Sequence, residues 1–455
     1  MSIKRNEIKI HTESEKSGVF ELELEKTEIT ETEQEINIML DKSGSMDDEC
    51  GDGNSKMSQI KHVTKNILRY IAANCKKENI SVSVSAFNTS VETIINNVTV
   101  SDKNLSELIT QIGTIYPEDG TNIESSLKAM QKDIHLKKIN NIFMSDGDAN
   151  DGETMPTKLA KLVDTNASNT FVGFGLEHNP QIFAALSETE NSSYYFIDKI
   201  EKSGMAYGEI LHGILYRSLS NVRITIKNGL IYDWRTNEWL TDIFVGNMSG
   251  EMKKMFNIKT ETASEIEITV CGNNINDNGA EVKSVSVFTG ETENLTRMIY
   301  RQRTQEILYK AKQVNINASN SDISAMKKEM NDFMVEMKEY MKTNEMADDK
   351  LMKNLCDDIA IVYRTLGTIY GQMYSYARQT SQGSERLHNV SDTPRPVRLF
   401  GNMTPSKPKN IFGFSVDVDD DAMDEHTISD ELSTPYYSEE VATVMRLVSE
   451  VPDDE

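Results

Sequence analysis

The 455-residue sequence is poor in cysteine, proline and positive charge. Its four cysteines, Cys50, Cys75, Cys271 and Cys356, lie far apart with no Cys-x-x-Cys pair, which argues against a zinc site or a disulfide framework and leaves free thiols. Lys and Arg number 48 against 72 Asp and Glu, for a formal charge of −24. A surface of that sign does not gather phosphates, so the reading is no nucleic acid and no membrane among the partners. No stretch approaches the roughly 20 apolar residues that span a bilayer. The first residues also lack the apolar core of a secretory signal, and the expectation is a soluble, cytoplasmic protein. A phosphate-cradling Gly-x-x-x-x-Gly-Lys-Ser/Thr is missing, as is a Gly-x-Ser-x-Gly elbow, and the seven histidines stand apart from acid or thiol partners. With no catalytic constellation left, the chain reads as a binding protein and not as an enzyme.

Against these absences stand three short oxygen-rich elements. The apolar run at 36–40 leads directly into Asp41-Lys42-Ser43-Gly44-Ser45, and Asp119-Gly120-Thr121-Asn122 and Ser145-Asp146-Gly147 follow at a distance. A strand ending in a Gly-containing turn before a helix delivers its side chains to one edge of a parallel sheet, where α/β proteins place their sites. Mg²⁺ asks for near-octahedral oxygen and keeps some waters, so hydroxyls from Ser43, Ser45 and Thr121 with the carboxylates of Asp41 and Asp146 form a chemically adequate shell. No His or Cys is needed.

In this order and spacing the three elements resemble the von Willebrand factor type A (vWA) domains and their metal-ion-dependent adhesion site. The resemblance implies that Ser43, Ser45 and Thr121 touch the metal directly, that Asp41 and Asp146 act mostly through water, and that one position stays open to a partner's Asp or Glu. Mn²⁺ or Ca²⁺ could replace Mg²⁺. Asp47, Asp48, Glu49, Asp52, Glu118 and Asp119 ring the site, with Asp148, Asp151 and Glu153 beyond Asp146, so a partner's carboxylate is expected to be flanked by Lys or Arg. The run from Asp146 to Glu153 imitates the start of a calcium loop but carries Asp151 where Gly is required and Thr157 where a bidentate Glu is required.

The expected architecture is α/β. Strands at 36–40, 80–87, 93–100, 141–144, 170–174 and 194–197 alternate with helices at 56–74, 105–112, 123–134, 157–163, 181–186 and 204–218. They make a doubly wound, mostly parallel, six-stranded Rossmann-like sheet over 35–219, with the third strand an antiparallel edge. Period-2 alternation in 1–34 and again over 220–290 predicts one β-sandwich into which the α/β unit is inserted. Residues 291–379 lack proline throughout 292–379 and carry apolar seams from Ile323 to Tyr340 and, unbroken, from Met352 to Tyr376, which predicts a helical hairpin or bundle. The same seams allow a coiled coil and an oligomer. From 380 to 455 an acidic, largely disordered tail is expected, with a short helix near 438–449 that docks on the body or on another protein. Two rival functions follow from the same residues: a metal-dependent hydrolase, and a self-assembling structural protein whose metal only stiffens loops.

Overall fold

A computed structural model describes residues 3–49, 53–75, 79–118, 120–131, 138–147, 149–175, 179–197, 203–277, 279–314, 318–368, 370–385 and 438–449. The chain starts with an antiparallel hairpin, β1 (Ile3–His11) and β2 (Ser14–Leu24), whose alternate apolar residues Ile8, Ile10, Phe20, Leu22 and Leu24 are buried. It then enters the α/β unit through β3 (Gln34–Asp41), α1 (Lys56–Asn74), β4 (Ile80–Phe87), β5 (Val91–Thr99), α2 (Leu105–Gly113), α3 (Ile123–Met130), β6 (Lys138–Ser145), α4 (Pro156–Leu159), β7 (Ser168–Phe174), α5 (Pro180–Ser187), β8 (Ser192–Ile197) and α6 (Ser203–Leu215). The sheet order is β5-β4-β3-β6-β7-β8, with only β5 antiparallel. β3 and β4 are buried at every position, as strands covered on both faces must be. One face carries α1, α2 and α6 around Ile38, Leu40, Ile67 and Leu211; the other carries α3 to α5 around Phe143, Phe171 and Phe183.

Eight strands follow: β9 (Arg217–Lys227), β10 (Gly229–Asp233), β11 (Glu238–Leu240), β12 (Asp242–Ser249), β13 (Lys253–Thr260), β14 (Glu267–Asn274), β15 (Ala280–Val287) and β16 (Thr292–Glu293). They build two sheets, β11-β10-β13-β2-β1-β16 and β12-β9-β14-β15, which enclose one core containing Phe20, Leu22, Ile224 and Ile268. The N-terminal hairpin thus shares a sheet with strands more than 200 residues away, between β13 and β16. The α/β unit ends earlier than the 219 boundary read from sequence. Helix α6 stops at Leu215 because Arg217 and Leu219 are captured by Ser249 and Met248 of β12, so the sandwich runs over 217–293 and not 220–290.

Four helices come next: α7 (Thr296–Gln313), α8 (Asn320–Thr343), α9 (Lys350–Thr365) and α10 (Gly371–Ser384). The seam expected to continue unbroken from Met352 to Tyr376 is cut in two at Gly367, which turns with a φ of +84° that favours glycine. Both seams are buried within the chain, Met330 and Met337 against Leu355, Ile359 and Val362. Asp349 caps α9 by accepting from Met352 N at 2.9 Å. Order persists past residue 379: α10 reaches Ser384, and Glu385 beyond it accepts from buried Arg301 at 2.7 Å and from Met255 N at 2.9 Å, tying helices to sandwich. The acidic run at 417–425 lies outside the described residues.

The last helix, α11 (Glu439–Ser449), docks on the body. Val444 and Val448 join the core of the α/β unit, and Asn66 of α1 donates to Val448 O at 2.9 Å. Its seat on α6 exists because two helix positions one turn apart lack side chains. A Cβ on Gly204 would lie 2.6 Å from Ser449 Cα, and one on Gly208 would lie 2.3 Å from Met445 Cα. Gly208→Leu raises intrinsic helix propensity by roughly 1 kcal/mol, yet it is expected to expel α11. Hydrogen exchange would then show 439–449 losing protection while β3 and β6 keep theirs; retained protection would contradict the packing described.

Candidate metal centre

Asp41 is the last residue of β3, and Ser145 ends the adjacent β6, so Asp41 and Asp146 emerge side by side at the carboxyl edge of the sheet. Both are fully buried. Ser145 Oγ donates to Asp41 Oδ2 at 2.5 Å, and Ser43 N donates to Asp41 Oδ1 at 2.7 Å, which folds the loop back over the strand end. Ser43 Oγ then lies 3.1 Å from Ser45 Oγ, and Ser45 Oγ donates to Asp146 Oδ1 at 2.8 Å. Thr121 arrives on a separate loop, held by Asn150 Oδ1, which accepts from Thr121 N at 2.8 Å, and by Thr121 O, which accepts from Asn150 N. The contact is close at Gly147, where a Cβ would stand 3.4 Å from Thr121 Oγ1 and 3.9 Å from Ser45 Oγ. All five residues singled out in the sequence therefore sit in one loop cluster.

The spacing of these oxygens suits a small divalent cation. Metal–oxygen bonds of about 2.1 Å at right angles place adjacent oxygens roughly 3.0 Å apart. The Ser43–Ser45 and Ser45–Asp146 separations of 3.1 and 2.8 Å straddle that figure. Among the described residues no group of three or more His, Cys, Asp or Glu offers an alternative metal site.

The surrounding acids are less bare than their number suggests. Lys42 reaches Glu92 at 3.0 Å and Glu118 at 3.3 Å, and Asn88 also donates to Glu118. Asp151 accepts from Asn122, while Glu153 accepts from Met155 N and pairs with Lys158 at 2.9 Å, so both serve the loop and not the centre. Asp52, Asp119 and Asp148 lie outside the described residues. One basic residue escaped the sequence reading altogether. Lys56 Nζ stands 2.6 Å from Asp146 Oδ2 and 3.2 Å from Asp48 Oδ2. Burial pulls its pKa down, but the two carboxylates outweigh that and raise it. Lys56 opens α1 directly after its cap, Ser55. A cation at a helix N-terminus opposes the helix dipole, and that local conflict was the available sign of a role outside the helix.

Residues 35–206 match the family model described as von Willebrand factor type A domain. The α/β unit is a vWA domain. Members of this family are protein-interaction modules and commonly bind a divalent metal at these loops. The ArnB paralog VWA2 from Sulfolobus acidocaldarius is similar over 84% of this chain and 99% of its own, with 11% identity and a TM-score of 0.50, a likeness of fold. A von Willebrand factor type A protein from Catenulispora acidiphila aligns over 81% of this chain and 92% of its own, with 12% identity and a TM-score of 0.45. Proximal thread matrix protein 1 from the mussel byssus, in a structure with a zinc-occupied adhesion site, aligns over 44% and 50%, with 16% identity and a TM-score of 0.34. No curated protein matches the sequence significantly. Among the described residues no helix of the vWA domain or its flanks is long and apolar enough to cross a membrane.

Burial raises the Asp41 pKa from 3.8 to about 6, against the hydrogen bonds from Ser145 and Ser43 and with the charge of Asp146 adding to the rise. A raised acid contributes stability below its unfolded pKa and loses it as pH climbs through the folded value, here between about pH 4 and pH 6. The shift corresponds to about 3 kcal/mol. In chelator-treated protein, Asp41→Asn is therefore expected to gain stability over the wild type across that window and hold the gain above it. Parallel denaturant titrations of both chains at several pH values check this, and a pH-independent difference would refute it.

Proposed function

We propose that the vWA domain binds a protein partner through a divalent cation, Mg²⁺ foremost, held by Ser43, Ser45 and Thr121 with Asp41 and Asp146, and completed by an Asp or Glu of the partner. The observation that carries this reading is the gathering of oxygens at one sheet edge, with Ser43 and Ser45 Oγ 3.1 Å apart on one loop and Ser45 Oγ 2.8 Å from Asp146 Oδ1 on another. The cation would supply a Lewis-acidic point that captures a carboxylate; the chain supplies the fixed oxygens and a rigid sheet edge. Two further features support a binding role over a hydrolytic one. Among the described residues the ionisable groups in hydrogen-bond contact with the cluster are carboxylates and Lys56, and Lys56 is engaged by Asp146 and Asp48, so no histidine or unengaged amine stands beside the cluster to activate water. The exposed Asp47 and Glu49 beside the loop favour Lys or Arg next to the partner's carboxylate. The sandwich and the helical layer then act as the platform that presents the domain.

Isothermal titration of Mg²⁺, Mn²⁺ and Ca²⁺ into chelator-treated protein tests the proposal. Saturable binding is expected in the wild type, weakened at least about tenfold in Asp41→Ala and Thr121→Ala, on the scale of losing one ligand from the shell. With Mg²⁺ present, a peptide carrying Glu flanked by Lys should be retained, and its Gln counterpart should not. A folded wild type that binds none of the three ions would sink the reading.

A further inference from the structure

The position of Lys56 bears on how the centre divides its affinity between metal and partner. The two oxygens of Asp146 face different ways: Oδ1 accepts from Ser45 within the oxygen cluster, and Oδ2 accepts from Lys56 at 2.6 Å outside it. Lys56 thus leaves the cluster-facing oxygen free of its own contact. Its side chain is largely shielded, and Asp146 is fully buried, so the pair is coupled through protein more than through water. Asp48, the other carboxylate on Lys56, is mostly exposed, and solvent screens it.

We propose that Lys56 is a positioning residue that trades metal affinity for affinity toward the anionic ligand, by offsetting one carboxylate charge of the centre. This rests on the metal-binding reading above. With Asp41 and Asp146 ionised, the cluster alone would neutralise a divalent cation and leave no net attraction for a further carboxylate. With the Lys56 ammonium on Asp146, the same loaded centre keeps about one net positive charge. The hydrogen bond also fixes the Asp146 plane, so that Oδ1 stays turned toward Ser45. The two consequences have opposite signs. Removing the ammonium should hold the cation more tightly, since a like charge a few ångströms away is gone, and should hold an added carboxylate more weakly.

The test uses the full chain with Mn²⁺ as the metal and acetate as the carboxylate, read by Mn²⁺ electron paramagnetic resonance and water-proton relaxation. In Lys56→Met the Mn²⁺ dissociation constant is expected to fall about tenfold, the scale of one screened unit charge at this range. At saturating Mn²⁺ the acetate dissociation constant should rise several-fold. Lys56→Arg should return both toward the wild type, and Lys56→Gln provides a polar neutral variant should the methionine disturb folding. Constants that move in the same direction, or that stay unchanged, in folded neutral variants of a metal-binding chain would overturn the charge trade while leaving the metal site standing. No Mn²⁺ binding to wild type or variant would overturn both.

Discussion

The register of β3 against β6 is the constraint on which the centre depends. Asn37 lies directly opposite Asn141, and Asn141 directly opposite Asn169, in the buried middle of the sheet. Their side-chain amides form a ladder, Asn37 Nδ2 to Asn141 Oδ1 at 2.9 Å and Asn141 Nδ2 to Asn169 Oδ1 at 2.9 Å. A slip of one residue would turn each amide to the other face. A slip of two would set Asn37 against Ile139 or Phe143 and strand buried amides at a cost of roughly 1–3 kcal/mol each. With the ladder in place, Leu40 pairs with Met144, and Asp41 therefore meets Ser145 at the strand ends. The burial that lifts the Asp41 pKa follows from the same register, because the residue that closes β3 sits at the floor of the loops and not on their rim.

What could be read from the sequence divides along a physical line. Strands buried on both faces announce themselves as apolar runs, and α1 announces itself by a cap and a long seam, so the vWA unit and its doubly wound sheet were legible. That Asp41, Ser43, Ser45, Thr121 and Asp146 meet at one edge of the sheet was legible too, because each oxygen-rich element stands in a loop, where side chains are least committed to packing. Ends decided by partners were not. Leu215 is where α6 stops because β12 takes the following residues into a sheet, and nothing in the helix itself says so. Gly367 breaks a seam whose spacing continues through it, since a left-handed turn costs glycine nothing and leaves the period intact. Lys56 was hidden for a related reason: its partner Asp146 lies 90 residues away, and only the sheet brings them together.

The helical layer and the sandwich meet around a buried charged pair. Arg301 on α7 donates to Glu385 and to Gln382 O, and Glu385 also accepts from the backbone of β13. Such a pair contributes little net stability, but removing either partner strands a charge, so it specifies the docking geometry more than it strengthens it. Trp234 lies against Gly383, where a Cβ would fall within 2.0 Å of the indole, so α10 can approach the sandwich this closely only with glycine at that position. On the other side of α10, Tyr374 meets Phe196 of β8 edge-on with ring centroids 5.8 Å apart. One helix thereby joins the vWA edge strand to the sandwich.

The insertion itself gives the centre a route to the sandwich. The chain enters and leaves the vWA unit at one place, where Thr30 N donates to Leu215 O at 2.8 Å. A single residue, Tyr216, separates α6 from β9, and its carbonyl accepts from Gly250 N beside β12. Helix α1 starts at the centre with Lys56 and, after the roughly 28 Å that its length implies, ends beside that junction. There the Tyr70 hydroxyl meets the Tyr216 hydroxyl at 3.0 Å. One helix therefore has its first residue on Asp146 and its last turns on the junction between domain and sandwich, with α11 packed against both α1 and α6. A rigid-body adjustment of α1 at the oxygen cluster would bear on Tyr216 and on the α11 backbone that Asn66 holds, both of which are among the contacts made by its far half.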